Sequence, residues 1–292
     1  MCDELTAREE EQALARKGIG RRDFAALSAA TVIAACTAGD GEAKAKRALT
    51  ERSVTFATPD GTADGFFVHP AKGKHPAVLL WPDIAGLREA YQVMARRLAG
   101  EGYAVLVLNH YYRNAPAPIM QSMAEWRTPE GQAKLKPMIA AINPEATMRD
   151  AKAAIAWLDA QKAVDTRRGV GTQGYCMGGP YTVRTAFAVP ERVRAAASFH
   201  GGGLVTDKPD SPHRLFGQTK ASYLIAIARN DDARAPAEKD TLREAAKAAG
   251  RPAELEVYNA DHGWCTLDAP IYDKAEAERA WARLLALYKG AL

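Results

Sequence analysis

Gly171-Thr172-Gln173-Gly174-Tyr175-Cys176-Met177-Gly178-Gly179-Pro180 is the stretch on which the fold turns. Arg168-Gly169-Val170 before it can enter a buried strand, and Tyr181 to Ala188 after it has helix-compatible spacing. Gly-x-Cys-x-Gly between a strand and a helix has the form of a nucleophile elbow, with cysteine in the place of the usual serine. A nucleophile at such a turn sits at a strained backbone angle. Its neighbours two positions away must therefore be nearly free of side chain, so that strand and helix can approach. The N–H groups at the start of the helix behind Cys176 would favour a thiolate. The plain alternative is a buried structural cysteine in a glycine-rich turn.

Working outward, the chain alternates strands and helices. Val54-Thr55-Phe56, a Pro59-Asp60-Gly61 turn and Gly65 to Val68 predict an antiparallel hairpin at a sheet edge. Ala77 to Trp81 and Tyr103 to Leu108 are continuous apolar runs, expected as buried parallel strands. Glu89 to Gly100 lies between them with helical spacing and a glycine stop. Asn114 to Asn143 is too long for a plain loop and predicts a flap of short helices. Pro144 to Ala160 is a helix that leads back to the elbow strand. After the elbow come strands at Ala195–Phe199, Tyr223–Ala228 and Leu255–Tyr258, and helices at 236–249 and 271–288. This order predicts one α/β domain, a mostly parallel sheet with helices on both faces, over residues 48–292.

Composition agrees with one large domain: 292 residues, 47% hydrophobic and 25% charged. The net charge of +4 is scattered, which excludes the basic stripe of a nucleic-acid binder. Four cysteines, Cys2, Cys36, Cys176 and Cys265, form neither a CxxC pair nor a disulfide-framework spacing. No metal or cofactor is expected. His262-Gly263-Trp264-Cys265 lacks the second ligand pair a metal would need, and Cys265 reads as a packing thiol.

Residues 1–47 read as an export leader and tether. Gly20-Arg21-Arg22-Asp23-Phe24-Ala25 opens a weakly apolar run that looks like a twin-arginine signal. Ile33-Ala34-Ala35-Cys36 resembles a lipoprotein cleavage box with Cys36 as the lipidated residue. The expectation is a periplasmic or envelope location, with membrane contact only through that lipid. The alternative is a cytoplasmic protein with an Ala-rich amphipathic N-terminal helix.

Ligands in such sheets gather at the carboxyl ends of the strands. Cys176, Asp232 and His262 stand there in the order nucleophile, acid, base, which is the α/β-hydrolase order. His262 would take the thiol proton and later activate water, while Asp232 would fix the imidazole tautomer. The oxyanion hole would use the backbone N–H of Met177 and, from the loop after an earlier strand, that of Ile84.

With these motifs in view, Ser53 to Leu287 resembles the dienelactone hydrolase family of cysteine α/β-hydrolases. The resemblance rests on Gly-Tyr-Cys-Met-Gly-Gly, Asp-x-x-x-Pro from Asp232 to Pro236, and His-Gly-Trp. It implies hydrolysis of a small ester or lactone through a thioester, without a cofactor. The alternatives are a non-catalytic envelope binding protein on a hydrolase fold, or a Cys-dependent thioesterase or acyltransferase. A monomer is expected. Asp231 competes with Asp232 for the acid role; the family spacing, with the acid four residues before proline, selects Asp232. Asp83 falls where the family carries a glutamate that meets the nucleophilic thiol, one methylene shorter here. It would either reach Cys176 or cap the following turn. Arg113 matches a family arginine that binds a substrate carboxylate, with a surface role at the base of the flap as the alternative. A second family arginine is replaced by Thr266, which favours a substrate other than dienelactone itself. Tyr111, Tyr112 and Trp264 would supply an apolar wall to the pocket, unless they belong to the core.

Overall fold

The computed structural model describes residues 47–292; the leader motifs and Cys36 lie outside them. Eight strands form one sheet in the order β1-β2-β4-β3-β5-β6-β7-β8. β1 (Leu49–Thr58) and β2 (Gly61–Pro70) pair antiparallel over their full length around the Asp60 turn. β2 joins β4 (Ala104–Leu108) antiparallel, and every later pairing is parallel. β3 (Ala77–Trp81) and β4, both apolar runs, and β5 (Val170–Tyr175), which carries Thr172 and Gln173, are buried at every residue, as strands covered on both faces must be. β6 (Val193–Phe199) and β7 (Ser222–Ala228) continue the sheet, and the alternating β8 (Ala253–Tyr258) forms its second edge.

Helices cover both faces. On one side α1 (Glu89–Gly100) and α8 (Lys274–Ala291) bury Tyr91, Met94, Leu98, Leu284 and Tyr288 against the sheet. On the other, α4 (Pro144–Asp159), α5 (Gly179–Ala188) and α7 (Glu238–Ala248) bury Ile155, Leu158, Val183 and Leu242. The flap contains a single-turn α2 (Met123–Trp126) and α3 (Pro129–Ala140). It carries its own apolar cluster, in which Ile119, Met120, Met123 and Leu135 pack on Ile84, Ala85 and Tyr111. The flap therefore lies on the loop that follows β3.

The structure departs from the sequence reading after β7. Residues 229–232, expected as a strand exit, begin a short helix α6 (Arg229–Arg234). The departure is small, but it moves one functional side chain. Among the described residues no helix is long and apolar enough to cross a membrane.

Candidate active site

Cys176 adopts φ 53° at the junction of β5 with a single 3-10 turn (Cys176–Gly178), and α5 follows at once with Pro180 in its first turn. Crowding explains the glycines. A Cβ on Gly174 would lie 2.1 Å from the Gly178 oxygen, and one on Gly178 would lie 2.5 Å and 2.6 Å from the oxygens of Trp81 and Pro82. Backbone atoms cannot move aside as a flexible side chain can, so the elbow closes only without these side chains. The second contact also seats the elbow directly on the end of β3, which brings Met177 to the Ile84 loop.

The candidate base, His262, follows β8. His262 is 4% exposed. Its backbone N–H donates to Asn230 Oδ1 at 2.8 Å, and its Nδ1 lies 2.7 Å from Asp231 Oδ2. An ionised carboxylate only accepts, so Nδ1 carries the proton and Nε2 is the basic nitrogen. The acid paired with the imidazole is thus Asp231, which corrects the assignment of Asp232. The cause is helical phase. Asp231 and Asp232 are consecutive in α6, about 100° apart around its axis. Asp231 turns toward His262, and Asp232 turns toward α7, where it pairs with Lys239 at 2.6 Å. Arg234 lies 3.6 Å from the second Asp231 oxygen.

His200 follows β6 at φ 40°. Its ring lies 4.8 Å from the His262 ring and 5.2 Å from Trp264, measured between centroids. Burial, and after it the neighbouring His262, holds its pKa well below the ordinary histidine value, so His200 is an uncharged wall beside His262. Trp264 stacks on Tyr258 and is fully buried. It backs His200 from the core, the alternative reading of this residue.

The Ile84 loop is fixed at almost every polar group. The Asp83 N–H donates to Tyr91 Oη at 3.0 Å, and its carbonyl accepts from Gly86 N–H at 3.0 Å. The Ala85 N–H donates to Asp83 Oδ1 at 3.0 Å, and Tyr111 Oη donates to the Ile84 carbonyl at 2.7 Å. Among the described residues no acceptor meets the Ile84 N–H itself, as an oxyanion donor requires. Tyr111, fully buried, also reaches Met177 Sδ at 4.0 Å. It ties the Ile84 and Met177 segments together.

Asp83 takes the turn-capping role through Ala85, and its carboxylate also carries a partner the sequence did not suggest. Arg88, fully buried, donates from Nη1 and Nη2 to the two Asp83 oxygens at 2.7 Å and 3.0 Å. From Nε and Nη2 it donates to Asp268 at 2.7 Å each. Burial opposes its charge, but the two carboxylates outweigh burial and hold the guanidinium well above its ordinary value. The Asp268 carboxyl, which burial alone would raise, is lowered by Arg88. Asp268 Oδ2 also accepts the Met123 N–H of the flap at 3.1 Å.

Arg113 is the second correction. Its guanidinium binds Asp60 and Asp150 through all three nitrogens, at 2.5 to 3.1 Å. The carboxylates it recognises belong to the protein. Tyr112 joins the same cluster, with its hydroxyl donating to Asp150 at 2.7 Å and its side chain packed in the core. The match to a family arginine marked the position but could not show that Asp60, in the β1–β2 turn, and Asp150, on α4, would reach it first.

Comparison with known proteins bears on the fold and the family. The chain is 28% identical over 242 residues to a protein of Methylorubrum extorquens named "Putative carboxymethylenebutenolidase", covering 81% of this chain and 79% of that one. The fold matches a dienelactone hydrolase-like promiscuous phosphotriesterase from metagenomic libraries, with a TM-score of 0.68 at 22% identity over 84% of this chain and 99% of that chain. It also matches the dienelactone hydrolase of Anabaena variabilis, with a TM-score of 0.61 at 17% identity over 84% and 99% of the two chains. The model of the dienelactone hydrolase family matches residues 63–292, from β2 to the C-terminal helix, and the chain belongs to that family.

Proposed function

We propose that this protein hydrolyses small esters or lactones through a thioester on Cys176, with His262 as the base and Asp231 as its acid partner. The observation that carries the reading is the 2.7 Å bond between His262 Nδ1 and Asp231, set at the same carboxyl edge as a cysteine held at φ 53°. In the reduced protein, His262 Nε2 takes the Cys176 proton as sulfur attacks the acyl carbon. The carbonyl oxygen gains the negative charge between the N–H groups of Ile84 and Met177. When the tetrahedral intermediate collapses, the C–O bond breaks and His262 returns the proton to the leaving alkoxide. A lactone keeps that alcohol on the acyl chain. Water, deprotonated by His262, then attacks the thioester, and the sulfur leaves and is reprotonated. Asp231 holds the tautomer and stabilises the imidazolium throughout.

The names of the relatives make a carboxymethylenebutenolide, that is a dienelactone, the first substrate to try. Arg113, engaged by Asp60 and Asp150, gives no support to selection of acidic substrates at that position. The test is hydrolysis of a chromogenic acetyl ester and of a dienelactone by leaderless protein under reductant, beside Cys176→Ala. Turnover that disappears in the variant is expected; turnover that survives it would overturn the reading. The leader motif supports a further proposal, export to the cell envelope. Fractionation of cells expressing the full chain and an Arg21→Lys/Arg22→Lys variant checks it, and an unchanged distribution would refute it.

A further inference from the structure

The Asp83–Arg88–Asp268 triad is buried, with Asp83 and Arg88 almost wholly inaccessible, and none of its groups takes part in a proton transfer in the proposed chemistry. Burying three charges is costly, and apolar packing often serves stability as well. A function for the triad follows from what it touches. One end, Asp83, caps the peptide between Ile84 and Ala85. The other, Asp268, lies six residues beyond His262 and holds the first turn of the flap through Met123. Arg88 joins them with four donated bonds, and a fifth from Nη1 to the Gly86 carbonyl at 3.1 Å fixes the same turn from below. Bidentate guanidinium pairs define direction as well as distance.

We propose that Arg88 and Asp268 are positioning residues for the Ile84 oxyanion donor, and that the flap docks on the same buried triad. This rests on the hydrolase reading above. An oxyanion donor acts in the transition state and contributes little to ground-state binding. Loosening the triad should therefore lower kcat and leave KM in place, and it should not change how fast the thiol reacts with a reagent that forms no oxyanion.

Asp268→Asn is the informative variant, because it leaves the Asp83–Arg88 pair electrically balanced; Arg88→Lys is the companion, keeping charge but losing the fork. Each should lower ester kcat by about ten- to a hundredfold, with KM within about twofold and the rate of Cys176 alkylation by iodoacetamide within about twofold. Amide hydrogen exchange at residues 83–87 and at Met123 should quicken together in both variants. A folded Asp268→Asn protein with unchanged kcat would overturn the proposal. So would a parallel fall in alkylation rate, which would place the effect on the thiol. If the parent protein turns over no ester, the hydrolase reading fails on its own account. Exchange at 83–87 that then stays at the parent rate in both variants would overturn the loop-holding role as well.

Discussion

The turn after β5 and the turn after β7 lie at the same edge of one sheet, two strands apart, and each delivers a proposed catalytic side chain. They are specified in different ways. At the nucleophile turn every constraint is steric and local: φ 53° at Cys176, and no room for a Cβ on Gly174 or Gly178. Only one residue can occupy the apex, and the glycine spacing announces which. At the acid turn two aspartates stand side by side in a six-residue helix, each already ion-paired and each about one-fifth exposed. Neither is sterically excluded from the other's role. The choice is made by where His262 arrives, from a strand that is itself distant in sequence. A site position fixed by exclusion is readable from its neighbours, whereas one fixed by orientation needs the partner in place.

The contrast can be broken at its tight end first. Gly178→Ala forces a methyl group onto the Trp81 and Pro82 oxygens. The expected outcome is a loss of about 3 kcal/mol in stability together with a fall in kcat of about a hundredfold or more, because Met177 moves against Ile84. Thermal melting and ester turnover measure the two effects, and a normal melt with normal kcat would show that the elbow is looser than the contacts imply.

At the acid turn, Asp231→Asn should lower kcat by about a hundredfold or more by allowing the wrong imidazole tautomer. Steady-state kinetics of both single asparagine variants sharpen the comparison. Equal losses at Asp231 and Asp232 would mean that the helix can turn by one residue.

A third prediction concerns a buried group at the same sheet edge. His110, after β4, has neither ring nitrogen hydrogen-bonded, and burial, followed by the Arg88 charge, lowers its pKa to about 3. The unfolded chain binds a proton there below about pH 6.5, while the folded chain stays neutral down to pH 3. Stability should therefore fall as pH drops from 6.5 toward 3, by about 2 kcal/mol at pH 5 from this group alone. His200, also depressed by burial and His262, adds in the same direction. Urea titrations at pH 7 and pH 5 should show a shallower acid loss in His110→Phe than in the parent, and equal losses would remove His110 from the account. The smallest effect belongs to Asp232→Asn. Its pair with Lys239 is partly exposed, so kcat should stay within about threefold and stability within about 1 kcal/mol, and a larger kinetic loss would restore Asp232 to the site.

Much of the molecule was legible before any tertiary structure. The apolar runs at Ala77–Trp81 and Ala104–Leu108 gave buried parallel strands because strands covered on both faces have no polar alternation. The length of the 114–143 segment and its lack of strand pattern pointed to a helical flap, and α2 and α3 lie there. Cys176 and His262 were named from their turns. The roles of Arg113, Tyr111, Tyr112 and Trp264 were not legible, since each depended on a partner elsewhere in the chain: Asp60 and Asp150, Ile84, Asp150 again, and Tyr258.

The sequence by itself determined the order of the strands and the longer helices, the elbow with its cysteine, and the position of the histidine after the last strand. All of these follow from periodicity and from backbone angles that few residues tolerate. Only the tertiary structure decided which aspartate serves His262, that Arg113 is held by the protein's own carboxylates, and that Arg88 joins residues 83 and 268. Those are pairings of charged groups, and a charge selects its partner by distance and direction in the folded molecule, neither of which the order of residues along the chain records.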